Sequence, residues 1–402
     1  MRIIFFAGKG GVGKTSVASA SGIRAAELGY KTIIMSLDSA HSLGDIFDLD
    51  RELMDKNRGL PVKVGKRLWI QELDVQEEIQ KNWGEVHKYF SLLLNTTGFD
   101  EVLAEELAIL PGMEEVSSLL HINRYYQRGQ YQVIILDCAP TGESLRFISI
   151  PTALEWYIKK IFNLERTLAK LARPIARHIT DIPLPQDEYF EALEKLFKRL
   201  QGVDKILTDP GVTTVRLVTN PEKIVLKETQ RAFMYFSLYH MCIDGIILNR
   251  ILPEHISEAF FDDWKVYQKR YARIAEECFS PVPIIPVDLF PGEIVGPERL
   301  HKLAQTLYDS RDPTEIFFKE PPYRFYKEED RYVLELNLPF LTKKDVKLNK
   351  VGEELLIRVG GFKRNLILPR QVVGSARIRA KLDGNCLRIF FEEEEYAEKS
   401  DQ

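Results

Sequence analysis

IIFFAGKGGVGKTSVASASGIRAAELG, residues 3 to 29, decides how the first part of this 402-residue chain folds. The apolar run IIFFA passes directly into a glycine loop, and the loop into helix formers. Strand, loop and helix are the setting that gives GxxxxGK[ST] its meaning, and Gly8, Gly13, Lys14 and Thr15 satisfy that pattern. Glycine lets the backbone curl until successive N–H groups face one anion, and the helix N-terminus adds partial positive charge. Gly8, Lys9, Gly10, Gly11, Val12, Gly13, Lys14, Thr15 and Ser16 are therefore the expected phosphate-binding stretch. Lys14 is placed to reach the β- and γ-phosphates, and the Thr15 hydroxyl to meet Mg2+. Lys9 is a second lysine that a phosphate loop does not require.

Short apolar runs recur beyond this stretch. TIIMS (32–36), LWIQEL (68–73), VIILD (133–137), VRLVT (215–219), GIILN (245–249) and VPIIP (282–286) alternate with helix-length segments. Runs that are apolar throughout suit strands covered on both faces. The alternation implies an α/β fold, a doubly wound mostly parallel sheet, with ligands bound beyond the carboxyl ends of its strands. Residues 77–130 and 151–201 interrupt the rhythm and read as helical insertions. In the second, Leu154, Ile158, Ile161, Leu164, Leu168 and Leu171 recur at helical spacing until Pro174, which ends or kinks the helix. Such a stripe is either core or a groove for a partner helix.

The pattern changes near residue 312. Residues 1–312 form the first expected domain, and 313–330, with prolines and mixed charge, an expected linker. Residues 331–394 alternate apolar and polar side chains with period two, with turn signals at Val351-Gly352 and Asp383-Gly384, and no helical pattern. They predict a small antiparallel β-sandwich, followed by an acidic tail at 395–402.

Composition removes several classes of function. The net charge is −4 at pH 7, which argues against a general nucleic-acid binder. No apolar run approaches the ~20 residues that span a bilayer. The opening run is too short for a signal peptide and no small-residue cleavage site follows it. Cys138, Cys242, Cys278 and Cys386 include no CxxC pair, so neither a disulfide framework nor a zinc site is expected. These features suit a cytoplasmic protein, or one in a soluble stromal-like compartment.

Three aspartates extend the site. Asp38 and Asp137 end buried runs, where a carboxylate can hold Mg2+ or its water shell. Asp45 lies shortly after Asp38 and is a candidate to orient the attacking water.

With Lys9, these stretches resemble the deviant Walker A ATPases. LDSAHSLGDIF (37–47) and DCAPTGESLRFISIP (137–151) are similar to the two switch segments of their arsenite-pump and tail-anchored-protein-targeting branch. ILPGMEE (109–115), KETQR (227–231), ILNR (247–250) and PVDLFPGEIVGPERLHKLA (286–304) resemble later landmarks of that branch, in order, over residues 1 to about 310. Residues 331–392 resemble the α-crystallin fold of small heat-shock proteins. The combination is similar to cyanobacterial and plastid-type homologues of the targeting ATPase.

The resemblance implies ATP and Mg2+ as ligands, with Lys9 contacting phosphate across a subunit interface and Asp45 supporting hydrolysis. It implies that Asn249 hydrogen-bonds adenine and that Pro286, Val287, Asp288 and Leu289 form the loop near the base. It implies a homodimer whose helical insertions bind hydrophobic or amphipathic helix clients, with a transient membrane or receptor partner. Two alternatives stand beside this: the ATPase subunit of an arsenite or anion efflux pump, and a hydrolysis-poor holdase that uses the sandwich. Ser39 stands where the first switch usually has proline, and residues 151–201 lack the methionines that adapt a groove to varied helices.

Overall fold

The computed structural model describes residues 1–38, 42–96, 112–139, 184–320, 323–329, 331–337, 346–359, 362–375, 377–383 and 386–392, with positions 147, 150, 162, 165–169 and 172. Outside the described residues fall Ser39, 97–111, the body of the second switch at 140–146, most of the leucine stripe with Pro174, and the acidic tail.

Each apolar run becomes a strand because helices cover the sheet on both sides. β1 (Arg2–Ala7), β2 (Thr32–Ser36), β3 (Val62–Lys63), β4 (Leu68–Glu72), β5 (Val133–Asp137), β6 (Thr213–Thr219), β7 (Ile243–Ile251) and β8 (Ile284–Asp288) lie in the order β3-β4-β2-β5-β1-β6-β7-β8. Only the two-residue edge strand β3 runs antiparallel to its neighbour. Alternation along β1 divides the core. Ile3, Phe5 and Ala7 join the cluster that includes the helical insertion, whereas Ile4 and Phe6 pack with the helices Lys14–Glu27 and Pro297–Tyr308. Chain connections diverge from β1 to both sides, so the crevice at its carboxyl end is the topological switch point. The register sets Ser36 level with both Glu72 and Asp137 there.

Between β4 and β5 the chain forms a π-helical turn (Ile79–Trp83) and the helices Gly84–Thr96 and Met113–Arg128; Asp187–Leu200 follows β5. A polar network ties these helices together. The His121 ring meets Glu78 at 2.8 Å, Asn82 donates to Glu78 at 2.6 Å, and Arg199 donates to Asn82 at 2.6 Å. The Trp83 indole N–H reaches Ser117 at 3.2 Å.

The C-terminal sandwich is larger than expected. Tyr323–Glu328, inside the stretch read as linker, is the strand β9 and pairs antiparallel with β10 (Arg331–Asn337). Tyr323 and Phe325 point inward as β alternation requires, but six residues among prolines and charges carry too little pattern to show it. One sheet has the order β14-β15-β10-β9, with β14 (Arg377–Asp383) and β15 (Cys386–Glu392). The other has β11 (Val346–Val351), β12 (Glu354–Val359) and β13 (Phe362–Ile367). A one-turn helix, Arg370–Val373, breaks the all-β expectation. The sandwich rests on the helix Lys223–Leu238. Lys227 donates to Glu354 at 2.6 Å, Arg231 pairs with Glu353, and the Phe233 and Tyr323 rings lie 5.1 Å apart.

The remaining part of the linker, together with Asp312 just before it, straps the amino ends of the strands. Arg2 donates to the Thr314 carbonyl at 3.0 Å and Tyr30 to Asp312 at 2.8 Å. Arg216, fully buried in β6, pairs with Asp244 at 3.2 Å, donates to the Glu315 carbonyl and lies 4.1 Å from the Phe317 ring centre. Removing one member of a buried pair leaves an uncompensated charge. Asp244→Ala should therefore cost about 3–5 kcal/mol in urea unfolding, whereas an exposed pair such as Lys56–Glu52 should cost under about 1 kcal/mol.

Candidate functional site: a phosphate loop at the switch point

The loop sits where only glycine fits. A side chain on Gly8 would put its Cβ 2.3 Å from the Val218 carbonyl oxygen at the end of β6. Gly13 has φ +95°, and its Cβ would lie 2.5 Å from Asn249 Nδ2. Asn249, buried at the end of β7, donates that amide to the Val12 carbonyl at 2.8 Å. The loop is thus seated on two neighbouring strands before its helix begins at Lys14. The Lys14 ammonium lies over the loop, 3.3 Å from the Lys9 carbonyl. Gly10 and Gly11 are exposed at the tip, and Lys9 is half-exposed beside them.

A cavity of about 520 Å3 opens beside the loop. Gly13, Thr15, Ser16, Asn249, Arg250, Asp288 and Leu289 are among the residues that line it. Asp45 enters from the short helix Ser42–Ile46. Of the four residues expected near a base, Asp288 and Leu289 line this space. Val287 is packed in the core, on the face of β8 opposite Pro286 and Asp288, and Pro286 is exposed beyond the residues that line the cavity. Further lining residues lie inside the resembling stretches with no role assigned to them there: Ser42, whose hydroxyl lies 3.3 Å from that of Thr15, Arg250, and the apolar residues Phe290, Ile294 and Val295.

Asp137 is 1% exposed, and neither carboxylate oxygen has a hydrogen-bond partner among the described residues. Burial pushes its carboxyl up to about 7; nearby Thr15 and Lys14 oppose this, and Asp38 and Glu72 add to it. An orphaned buried carboxylate beside a threonine hydroxyl fits a hard divalent cation. Among the described residues no group of three or more His, Cys, Asp or Glu side chains could hold a metal ion. A sparse protein donor set is what Mg2+ uses when water and phosphate supply its remaining ligands.

A glycine-lined loop between a central parallel strand and a helix, with a buried carboxylate on the adjacent strand, defines a P-loop nucleotidase. Residues 1–309 match the family described as Anion-transporting ATPase, and residues 329–391 match the HSP20-like domain found in ArsA. The chain belongs to this ATPase family, with the ArsA-type C-terminal domain. It is 49% identical over 394 residues to the "Putative arsenical pump-driving ATPase 1" of Aquifex aeolicus, covering 97% of this chain and 100% of that one. It is 29% identical over 311 residues to "ATPase get3" of Sclerotinia sclerotiorum, covering 76% and 89%. It is 25% identical over 415 residues to "Protein Rv2184c" of Mycobacterium tuberculosis, covering 97% and 96%. No described helix is long and apolar enough to cross a membrane.

Two outcomes follow from this geometry. Gly13→Ala forces a positive φ on alanine and a clash with Asn249, so binding of a fluorescent ATP analogue should weaken by at least about 100-fold while circular dichroism stays native. The second concerns pH in the absence of Mg2+ and nucleotide. An unfolded aspartate releases its proton near 3.8, whereas folded Asp137 keeps it to about 7. Between those values the folded state holds the extra proton, so its stability falls as pH rises, by up to about 1.4 kcal/mol per pH unit from this one group. Asp137→Asn should flatten that part of the urea-unfolding profile.

Proposed function

We propose that this ATPase is a Mg-dependent, homodimeric nucleotide switch that binds apolar helical clients, including membrane-protein segments, and releases them on hydrolysis. One observation carries the reading. The helical insertions spring from β4 and β5, the strands whose carboxyl ends bear Glu72 and Asp137 at the nucleotide level. A change at the phosphates therefore reaches those helices through two strands. Leu92 and Leu168 stand more than half exposed on them, apolar surface of the kind a client helix would cover.

In this reading Lys14 and the loop N–H groups stabilise charge on the transferring phosphoryl group, and Asp45 orients the water. Thr15 with Asp38 and Asp137 holds Mg2+ and its water shell, which supplies charge neutralisation at the phosphates. Asn249 spends its amide N–H on Val12, which leaves Oδ1 to accept from the exocyclic amine of adenine. Lys9, half-exposed at the loop mouth, reaches the phosphates of a second copy. The four cysteines, two buried and two partly buried and none in a disulfide, suit a reducing compartment such as the cytoplasm or a stroma.

The relatives named for arsenical pumps favour a second reading, metalloid-driven turnover. The thiols weigh against it. Cys138 follows β5 at the carboxyl end of the sheet, whereas Cys242 precedes β7 at the opposite end. Burial pushes the Cys242 thiol up to about 11, away from the thiolate that binds metalloids.

Two measurements separate the readings. Asp45→Asn and Lys9→Ala should each lower Mg-ATPase turnover by at least about tenfold, with native folding. Turnover equal to wild type in both would remove the switch reading. Arsenite-stimulated turnover that disappears in Cys242→Ser or Cys278→Ser would instead establish the pump reading.

A further inference from the structure

We propose that Glu72 is the positioning residue for hydrolysis: its carboxylate fixes the helix that carries Asp45 and ties that helix to the strand feeding the helical insertion. The inference rests on Asp45 as the residue that orients water.

The helix Ser42–Ile46 is five residues long, too short to hold itself. Its first backbone N–H groups have no partner within the helix. Glu72 Oε1 accepts two of them, from Leu43 at 2.7 Å and from Gly44 at 3.0 Å. Hydrogen bonds to a carboxylate are stronger than neutral ones, and a negative charge at a helix start is favourable. At the other end the Gly296 N–H donates to the Ile46 carbonyl at 2.9 Å. Asp45 lies between these two anchors with its side chain exposed to the cavity. Both anchors are contacts of its neighbours Leu43, Gly44 and Ile46 rather than of its own carboxylate, so they set its position.

Glu72 is also the last residue of β4, and the chain enters the insertion three residues later. Its neighbour Gln71, turned to the opposite face by strand alternation, is gripped by the insertion itself. Tyr125 donates to Gln71 Oε1 at 2.8 Å, and Gln71 Nε2 donates to the Gly59 carbonyl at 2.7 Å. Two adjacent residues of one strand thus hold the insertion on one side and the Asp45 helix on the other. A client that displaces the insertion moves both.

The test uses full-length protein with MgATP, reading turnover and the affinity of a fluorescent ATP analogue separately. Glu72→Ala should lower kcat on the order of 10- to 100-fold, the cost of a misplaced catalytic group, with analogue affinity within about twofold of wild type. Glu72→Asp, one methylene too short to reach both N–H groups, should lose rate similarly. Glu72→Gln keeps the acceptor oxygen and should recover most of it. In an Asp45→Asn background, Glu72→Ala should add less than about a twofold loss, because the two residues act through one step. The proposal is overturned by wild-type turnover in Glu72→Ala, by Glu72→Asp outperforming Glu72→Gln, by affinity falling in step with turnover, or by losses that multiply in the double variant. Unchanged turnover in Asp45→Asn alone would overturn the reading of Asp45 itself, a separate outcome from failure at Glu72.

Discussion

The site depends on two close approaches. Gly8 lies against the Val218 carbonyl and Gly13 against the Asn249 amide, at distances that admit no side chain. These contacts lower the loop onto the carboxyl ends of β6 and β7, so its N–H groups and the helix start converge on one point. The surrounding cavity follows from that seating: Thr15 faces Ser42 and Asn249 closes the side. Asp137 lies on β5, on the other side of β1, with a carboxylate that has no hydrogen-bond partner among the described residues. Close packing and polar provision meet at one place, as a phosphate-binding crevice requires.

From that crevice the structure continues in two directions. Through β4 and β5 it reaches the helical insertion, whose buried Glu78–His121 pair and Asn82–Arg199 contact bind separate helices into one unit. Through β6 it reaches the helix Lys223–Leu238, which carries the sandwich on a salt-bridged and aromatic contact. The sandwich shares a continuous apolar core with the ATPase domain. The strap across Arg216 and Arg2 adds a second attachment, so the C-terminal domain is docked at both its entry and its face.

Most of the sheet was legible because parallel strands buried on both faces read as unbroken apolar runs, and the phosphate loop because its glycines are dictated by backbone geometry. The resemblance names Pro286, Val287, Asp288 and Leu289 as one stretch, of which Asp288 and Leu289 line the cavity. Strand alternation, which a matched stretch does not display, turns Val287 toward the core on the face opposite Pro286 and Asp288. β9 was hidden because its inward residues, Tyr323 and Phe325, are flanked by prolines and charges. Glu72 was hidden for a different reason. It accepts backbone N–H groups, and a backbone partner leaves no pattern in the side chains around it. Arg216 and Asp244 are 28 residues apart in sequence, and no spacing rule joins them.

The central claim is that ATP joins two copies of this chain through their phosphate loops. A crystal structure with Mg2+ and a non-hydrolysable ATP analogue tests it most directly. The account predicts a two-fold pair with the loops facing each other, Lys9 of each copy at the other's phosphates and Asp45 beside a water in line with the γ-phosphate. A nucleotide-loaded chain that stays single, or that pairs with its phosphate loops turned apart, would contradict it.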